Sequence, residues 1–455
     1  MTNQNNLWLD MPNLVLNADN YDHASLNADA IVVGAGIAGA SAAYHLAETG
    51  MKVWVLDKAE NPATAGSGNR QGMLYVKLSP HTPLENELAL AGFQYTLQLL
   101  KQLTKKGLLE KGKDWDNCGL LQLSYASKRP EYQAMLAEQY PEIMQLVDSQ
   151  TASELAGISL HSGGLLFPES GWVAPQALTK ALLQHSNITF LPNQSVLDVQ
   201  SVADDLDLPL WQVKTGAQTY QSKIVVLAMA SEVCELKVCE HLPMISARGQ
   251  TTSLKQENPL KMVVSGEGYI APSIEQNGDC WTTFGATFER HGEVSAPTER
   301  EHRENITMLE QNSEKLAANL GLSAIMPKLP ETLEGRVALR ASAPGSLPIV
   351  GPIAQYDEFM ARFASIRLDA KRIPDAKVPW EQGLYLSTAH GARGMITAPL
   401  AGKMLINMIL PRKRIGENIN GWRTIRLTEA MYRVLHPNRF YYQQLRSGKS
   451  PGEFG

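Results

Sequence analysis

Cysteine is scarce in this 455-residue chain. Cys118, Cys234, Cys239 and Cys280 are scattered, with no Cys-x-x-Cys pair and no histidine at metal-ligand spacing. That excludes a disulfide-stapled secreted scaffold, gives no sign of a metal site, and fits reduced thiols in a cytoplasmic protein. Long apolar runs are also missing: nothing approaches the roughly 20 residues of a bilayer-spanning helix. The first 29 residues carry four Asp and seven Asn and lack the basic start and hydrophobic stretch of a signal peptide. They read as a flexible leader. Neither sign of charge dominates the whole, which carries −5, but residues 411–450 hold nine Lys and Arg against Glu417 and Glu429. A basic tail on an acidic body suggests an anionic partner; a solvated basic helix is the competing reading.

What is present is a strand running into a glycine-rich turn, Ala30-Ile31-Val32-Val33-Gly34-Ala35-Gly36-Ile37-Ala38-Gly39. A second apolar strand, Lys52-Val53-Trp54-Val55-Leu56, ends on Asp57. In such a unit Gly34 permits the tight turn, Gly36 admits a pyrophosphate to the backbone, and Gly39 lets helix pack on strand. The helix N-terminus offers partial positive charge to phosphates. Asp57 is placed to accept from a ribose hydroxyl; flavin enzymes more often have Glu there, and both bind ribose.

Further along, helices are expected over 85–109, 130–149, 298–319 and 396–409. Ile224-Val225-Val226-Leu227-Ala228 reads as a strand buried on both faces. Residues 242–288 alternate apolar and polar with Gly and Pro punctuation, as antiparallel strands do. Parallel strands, an antiparallel block and a return to the first sheet imply an interleaved α/β architecture. The expected division is a leader over 1–29, a discontinuous cofactor domain over 30–85, 160–240 and 334–410, a substrate domain over 86–159 and 241–333, and a basic tail over 411–455.

A late turn, His390-Gly391-Ala392-Arg393-Gly394-Met395, opens a helix facing the sheet. Its N-terminal field would favour the negative charge of a reduced flavin, which points to FAD rather than a nicotinamide. Together with Gly66-Ser67-Gly68-Asn69-Arg70-Gln71-Gly72, Gly268-Tyr269-Ile270-Ala271-Pro272 and Ala338-Leu339-Arg340, these segments resemble the glycine oxidase/D-amino acid oxidase group of FAD enzymes. That resemblance runs from about Ala30 to Ile409. It implies a Rossmann-like FAD-binding domain interleaved with an antiparallel-sheet α+β substrate domain, and oxidation of a C–N bond beside a carboxylate. Ser246-Ala247-Arg248-Gly249-Gln250, Gly394-Met395-Ile396-Thr397 and Leu435-His436-Pro437-Asn438-Arg439-Phe440 are similar to the oxidoreductase half of the bifunctional enzymes that make 5-methylaminomethyl-2-thiouridine at the tRNA wobble position. There the flavin half removes a carboxymethyl group and a methyltransferase half acts next. Only 29 residues precede Ala30, too few for that second half, so the chain reads as either a free-standing oxidoreductase or a fragment; if free-standing, the expectation is an aminomethyl product left to a separate methyltransferase.

The resemblance makes Arg340 the clamp for the substrate carboxylate, since a guanidinium grips a carboxylate through two parallel hydrogen bonds. Arg336 is its rival, Tyr269 a second carboxylate contact or pocket wall. Cofactor contacts are expected from Gly34 to Gly39 (Ala35, Gly36, Ile37 and Ala38 included), Asp57, Lys58, Ser67, Gly68, Asn69, Gln71, Gly72, Val196, Ala228, Gly391, Ala392, Arg393, Gly394 and Met395. Arg393 sits near the flavin or receives the nucleotide. His390 is as well explained by structure as by base catalysis, and Lys77 reads as a solvent-facing strand lysine rather than an oxygen-activating one. In the tail, Trp422, Phe440, Tyr441 and Tyr442 interleave with Arg423, Arg426, Arg433, Arg439 and Arg446, types that suit loop bases and phosphates of a tRNA anticodon; the competing reading is that Phe440 to Tyr442 are the apolar face of a helix docked on the body. Dioxygen is the expected electron acceptor. A small-molecule amine oxidase and a non-catalytic tRNA-binding flavoprotein remain as alternatives.

Overall fold

The computed structural model describes residues 28–124, 130–202, 209–410 and 417–448. The expected leader over 1–29 and the basic run at Arg412, Lys413 and Arg414 fall almost wholly outside them.

A six-stranded sheet runs in the order Ile349–Ala354, Trp380–Thr388, Ile224–Leu227, Ala30–Val33, Val53–Leu56, Ile188–Leu191. All its neighbours pair in parallel except the first two. The apolar runs follow from burial on both faces. Ala30 and Val32 join the core under the Ile37–Ala47 helix, while Ile31 and Val33 join a different cluster containing Phe440 and Tyr441. Period-two alternation thus feeds two cores from one strand.

The larger sheet has ten strands. Its spine, Ile245–Leu254, pairs antiparallel with Leu333–Ser342 over its full length, without a register break. Its other edge meets Asp279–Gly285 and Glu289–Arg290. The Glu299–Asn312 helix covers one face: Gln250 Nε2 donates to the Thr298 carbonyl at 3.1 Å, and Asn305 Nδ2 to Thr252 Oγ1 at 2.9 Å. Arg248, Gln250 and Thr252 therefore face the helix. Ala247, Gly249 and Thr251 face the other way, across from Arg340, Ala338 and Arg336. One parallel pair, Leu120–Leu123 with Val263–Ser265, makes this sheet mixed rather than purely antiparallel.

Three expectations change. The strand carrying Arg340, assigned above to the cofactor segments, hydrogen-bonds into the larger sheet. The helix expected over 298–319 breaks at Ser313, whose side chain accepts from the Leu316 amide and starts Glu314–Asn319 anew. The helix expected over 130–149 stops at Gln139 and gives way to a strand, Gln145–Val147. Among the described residues, no helix is long and apolar enough to cross a membrane.

Candidate active site

The glycine turn closes as its sequence requires. Gly34 has φ +102°, and a Cβ there would lie 2.6 Å from the Ala228 carbonyl oxygen. A Cβ on Gly39 would overlap the Gly34 carbonyl oxygen, so the helix meets the strand end only because Gly39 lacks a side chain. Asp57 joins this turn: its Oδ2 accepts from the Ala35 amide at 2.6 Å and its Oδ1 from Ala59 at 2.8 Å. Gln194 donates its amide to the Asp57 carbonyl at 2.8 Å, which brings Val196 to the same corner. Lys58 points outward and pairs with Glu232 at 2.7 Å.

The loop from Gly66 to Gly72 lies across the turn. Ser67 Oγ accepts from the Ile37 amide at 2.9 Å, and a Cβ on Gly36 would meet only that oxygen, at 3.4 Å. From the other side comes the late turn: a Cβ on Gly394 would lie 3.5 Å from Ile37 Cγ2, one on Gly72 would lie 3.7 Å from Met395 Cγ, and one on Gly391 would lie 3.7 Å from the Cβ of Ser342. Three distant sequence segments thus meet at the N-termini of two long helices, Ile37–Ala47 and Gly394–Ile409. Ala392 lies on the exposed side of the turn. His390 bridges it, Nδ1 to Thr397 Oγ1 at 2.9 Å and Nε2 to Ser387 Oγ at 3.3 Å, and burial lowers its pKa to about 4. It is a neutral structural link near neutral pH.

The larger sheet presents its free face to this junction. The two arginines of Leu333–Ser342 share that face but do different things. Arg336 holds the loop: Nη1 donates to Asn69 Oδ1 at 2.8 Å, and Nη2 to the Thr64 carbonyl at 2.8 Å and to that of Ala65. It lies over Gly68, where any Cβ would displace it. Arg340 instead lies over Gly249; a Cβ there would overlap Nη1 and sit 2.6 Å from Nη2. Among the described residues its guanidinium donates from Nη1 to the Thr287 carbonyl at 3.2 Å. Burial lowers its pKa, the nearby Tyr269 phenol raises it, and no carboxylate among the described residues pairs with it. Tyr269 donates to the Gln71 carbonyl at 3.0 Å and is pushed up to about 12 by burial, so it stays a neutral donor.

Sequence reasoning did not find the loop-clamping role of Arg336, nor Arg70, whose guanidinium lies 4.0 Å over the Trp281 ring and donates to Gln276 Oε1 at 3.0 Å. It also passed over Thr287, although Gly249, which makes room for Arg340, lay in a quoted motif. Lys77 is exposed, as expected, but it lies beyond the Gly72–Leu74 strand rather than in a strand.

The tail needs a correction. Phe440 and Tyr441 are 4% and 1% exposed, and Trp422 stacks on Phe93 at 5.1 Å. Tyr442 donates to the Ala370 carbonyl at 3.1 Å. Arg423 pairs with Glu87, Arg433 with Glu429, and Arg439 donates to the Leu347 carbonyl at 2.9 Å. Among these side chains only Arg426 and Arg446 stay exposed. Phe440 and Tyr441 belong to the apolar stripe of a docked helix and Trp422 packs from a bend, so these rings are not open stacking surfaces, because burying them outweighs leaving them wet.

The cradle fits an FAD. No acceptor among the described residues meets the amides of Ala38 and Gly39, and Gln71 Oε1 is buried without a partner. Open amides at a helix N-terminus suit a pyrophosphate, and the Asp57 carboxylate at the end of the second strand suits a ribose. The comparisons agree. A bifunctional tRNA 5-methylaminomethyl-2-thiouridine biosynthesis protein, MnmC, of Pseudomonas putida (strain KT2440) is 39% identical over 426 residues, covering 92% of this chain and 61% of that protein. Its namesake from Pseudomonas syringae pv. syringae (strain B728a) is 38% identical over 435 residues, covering 94% and 60%. The chain thus spans about three fifths of the length of the curated relatives it matches. In fold it is similar to glycine oxidase from Geobacillus kaustophilus (TM-score 0.62, 18% identity, 84% of this chain and 94% of that one). It is also similar to L-proline dehydrogenase from P. horikoshii (TM-score 0.63, 16% identity, 92% and 99%). The family model described as FAD dependent oxidoreductase, DAO, matches residues 29–408, so the chain belongs to that family of FAD-dependent oxidoreductases.

Proposed function

We propose that this protein removes the carboxymethyl group from 5-carboxymethylaminomethyl-2-thiouridine at the wobble position of tRNA, as a cytoplasmic enzyme acting on a CH–NH bond. The observation that carries the reading is Arg340: a half-buried guanidinium with no acid partner among the described residues, on the strand whose Arg336 holds the loop of the dinucleotide cradle. The names of the relatives supply the substrate class.

When bound, FAD would accept two electrons, as a hydride, from the methylene between amine and carboxylate and return them to dioxygen as peroxide. The chain's part is positional. Arg340 holds the carboxylate through two hydrogen bonds, fixing distance and angle. Tyr269 walls the pocket as a neutral phenol and anchors the loop at Gln71. Arg336 keeps that loop closed over the cradle. Loss of a hydride and the amine proton leaves a substrate imine, which water splits into glyoxylate and the 5-aminomethyl nucleoside; methylation falls to a separate activity.

Mass analysis of wobble nucleosides from tRNA treated with the protein in air tests this. The expected result is conversion to the aminomethyl nucleoside with matching glyoxylate. Steady peroxide release from glycine or sarcosine, with the tRNA unchanged, overturns it in favour of a small-molecule amine oxidase.

A further inference from the structure

The strand edge beside Arg340 carries two side chains that the mechanism above does not use. Thr287 donates its amide to the Gln250 carbonyl at 3.2 Å and receives the Gln250 amide on its Oγ1 at 2.9 Å. Glu289 pairs with Arg248, and Arg290 with Ala247. Phe288 therefore falls opposite Gly249, the residue that the Arg340 guanidinium overlies. The faces alternate as a strand requires. Thr287 Oγ1 donates to Glu301 Oε1 at 2.9 Å on the helix face, and Phe288 and Arg290 belong to the face of Gly249 and Arg340. Phe288 is 63% exposed, and Arg290 is exposed with no acid partner among the described residues.

An exposed apolar side chain is ordinary in isolation; Leu368, at 91%, needs no explanation. Phe288 differs by position, immediately before the Glu289–Arg290 strand, whose register continues to Gly249. If Arg340 holds the carboxylate, four bonds separate that group from the uracil ring, an extended reach of about 5 Å. The base must then emerge next to the clamp, where an open aromatic face and a free cation lie along one edge.

We propose that Phe288 and Arg290 form a nucleotide-reading edge, Phe288 stacking on the base that bears the reacting side chain and Arg290 meeting an adjacent backbone phosphate. This rests on the substrate reading above and deepens it: the ligand class is an unpaired nucleotide within a single-stranded loop. Aromatic stacking suits such a base, and a guanidinium suits its phosphate.

The test compares KM for tRNA bearing 5-carboxymethylaminomethyl-2-thiouridine with KM for the free modified nucleoside, in full-length protein with unchanged flavin content. Phe288→Ala raises KM about tenfold or more for both, as loss of one stacked base does. Phe288→Leu loses as much, since it keeps apolar volume without a ring face, and Phe288→Trp restores KM. Arg290→Gln costs several-fold more on tRNA than on nucleoside and lowers the salt slope of tRNA binding by about one. A Phe288→Ala or Phe288→Leu KM within twofold of wild type overturns the edge alone. A wild-type protein inert toward both substrates overturns the substrate reading itself, and the edge with it.

Discussion

Replacing Arg340 with alanine separates function from stability in a way few substitutions here would. Each hydrogen bond between a guanidinium and a carboxylate contributes about 1.5–3 kcal/mol, so losing two removes about 3–6 kcal/mol of substrate and transition-state binding. At about 1.4 kcal/mol per decade, kcat/KM falls roughly 10²- to 10⁴-fold. The folded protein should not suffer equally. Among the described residues the Arg340 guanidinium donates one hydrogen bond, to the Thr287 carbonyl, and burial already works against its charge. Arg340→Ala therefore unfolds near the wild-type midpoint and purifies with full flavin. Arg340→Lys, keeping a charge without the planar fork, recovers only part of the loss. The assay is anaerobic bleaching of the flavin band as a function of substrate concentration. A kcat/KM within threefold of wild type, or a loss that tracks missing flavin, refutes the clamp.

Arg336→Ala should show the opposite pattern, since its guanidinium holds Asn69 and the carbonyls of Thr64 and Ala65: flavin affinity drops about tenfold or more by titration, and flavin-loaded protein keeps its KM. Gly39→Ala forces a Cβ into the Gly34 carbonyl and should yield largely colourless protein; a full complement of FAD would contradict the turn's role. Phe440→Ala should cost about 3–5 kcal/mol in denaturant unfolding, as truncation of a buried Phe does, whereas an unchanged midpoint would mean the tail is not core. Burial lowers the pKa of both His45 and His390 to about 4 against about 6.5 unfolded. Below pH 6.5 the unfolded chain therefore binds protons that the native state refuses, and stability falls as pH drops from 6.5 toward 4, by about 2 kcal/mol per histidine at pH 5. Equal urea midpoints at pH 7 and pH 5 would contradict that.

The parts of the site legible in the sequence are the local ones. Gly34, Gly36, Gly39 and Asp57 lie within one βαβ unit, where spacing alone carries the geometry. Arg336 and Arg340 could not be separated by spacing, because residues four apart on a regular strand share a face; only the loop lying over one of them gives them different work. The tail misled for a related reason. Phe440, Tyr441 and Leu445 recur as one stripe of a helix, a signal that was present. Their partners, such as Phe359 against Tyr441, lie some 80 residues away in the chain. Arginine interleaved with aromatics looks the same whether it faces RNA or a carboxylate such as Glu87.

One comparison within a single sheet argues most directly for an anionic ligand. Arg248 and Arg340 lie on paired strands and face opposite ways. Arg248 is buried against Glu301, with Ser295 Oγ accepting from its Nε at 3.2 Å and Nη2 at 3.0 Å, and the acid raises its pKa. Among the described residues Arg340 pairs with no acid, its guanidinium donates to the Thr287 carbonyl, and burial lowers its pKa. Withdrawing a cation from water without a counter-charge costs stability, and this fold supplies the counter-charge on one face and withholds it on the other. Packing does not explain the difference, because the chain keeps glycine at position 249, leaving room for the guanidinium and nothing else. On the function proposed above, the anion that completes this cation is the carboxylate of the substrate, whose two oxygens match the planar fork of a guanidinium.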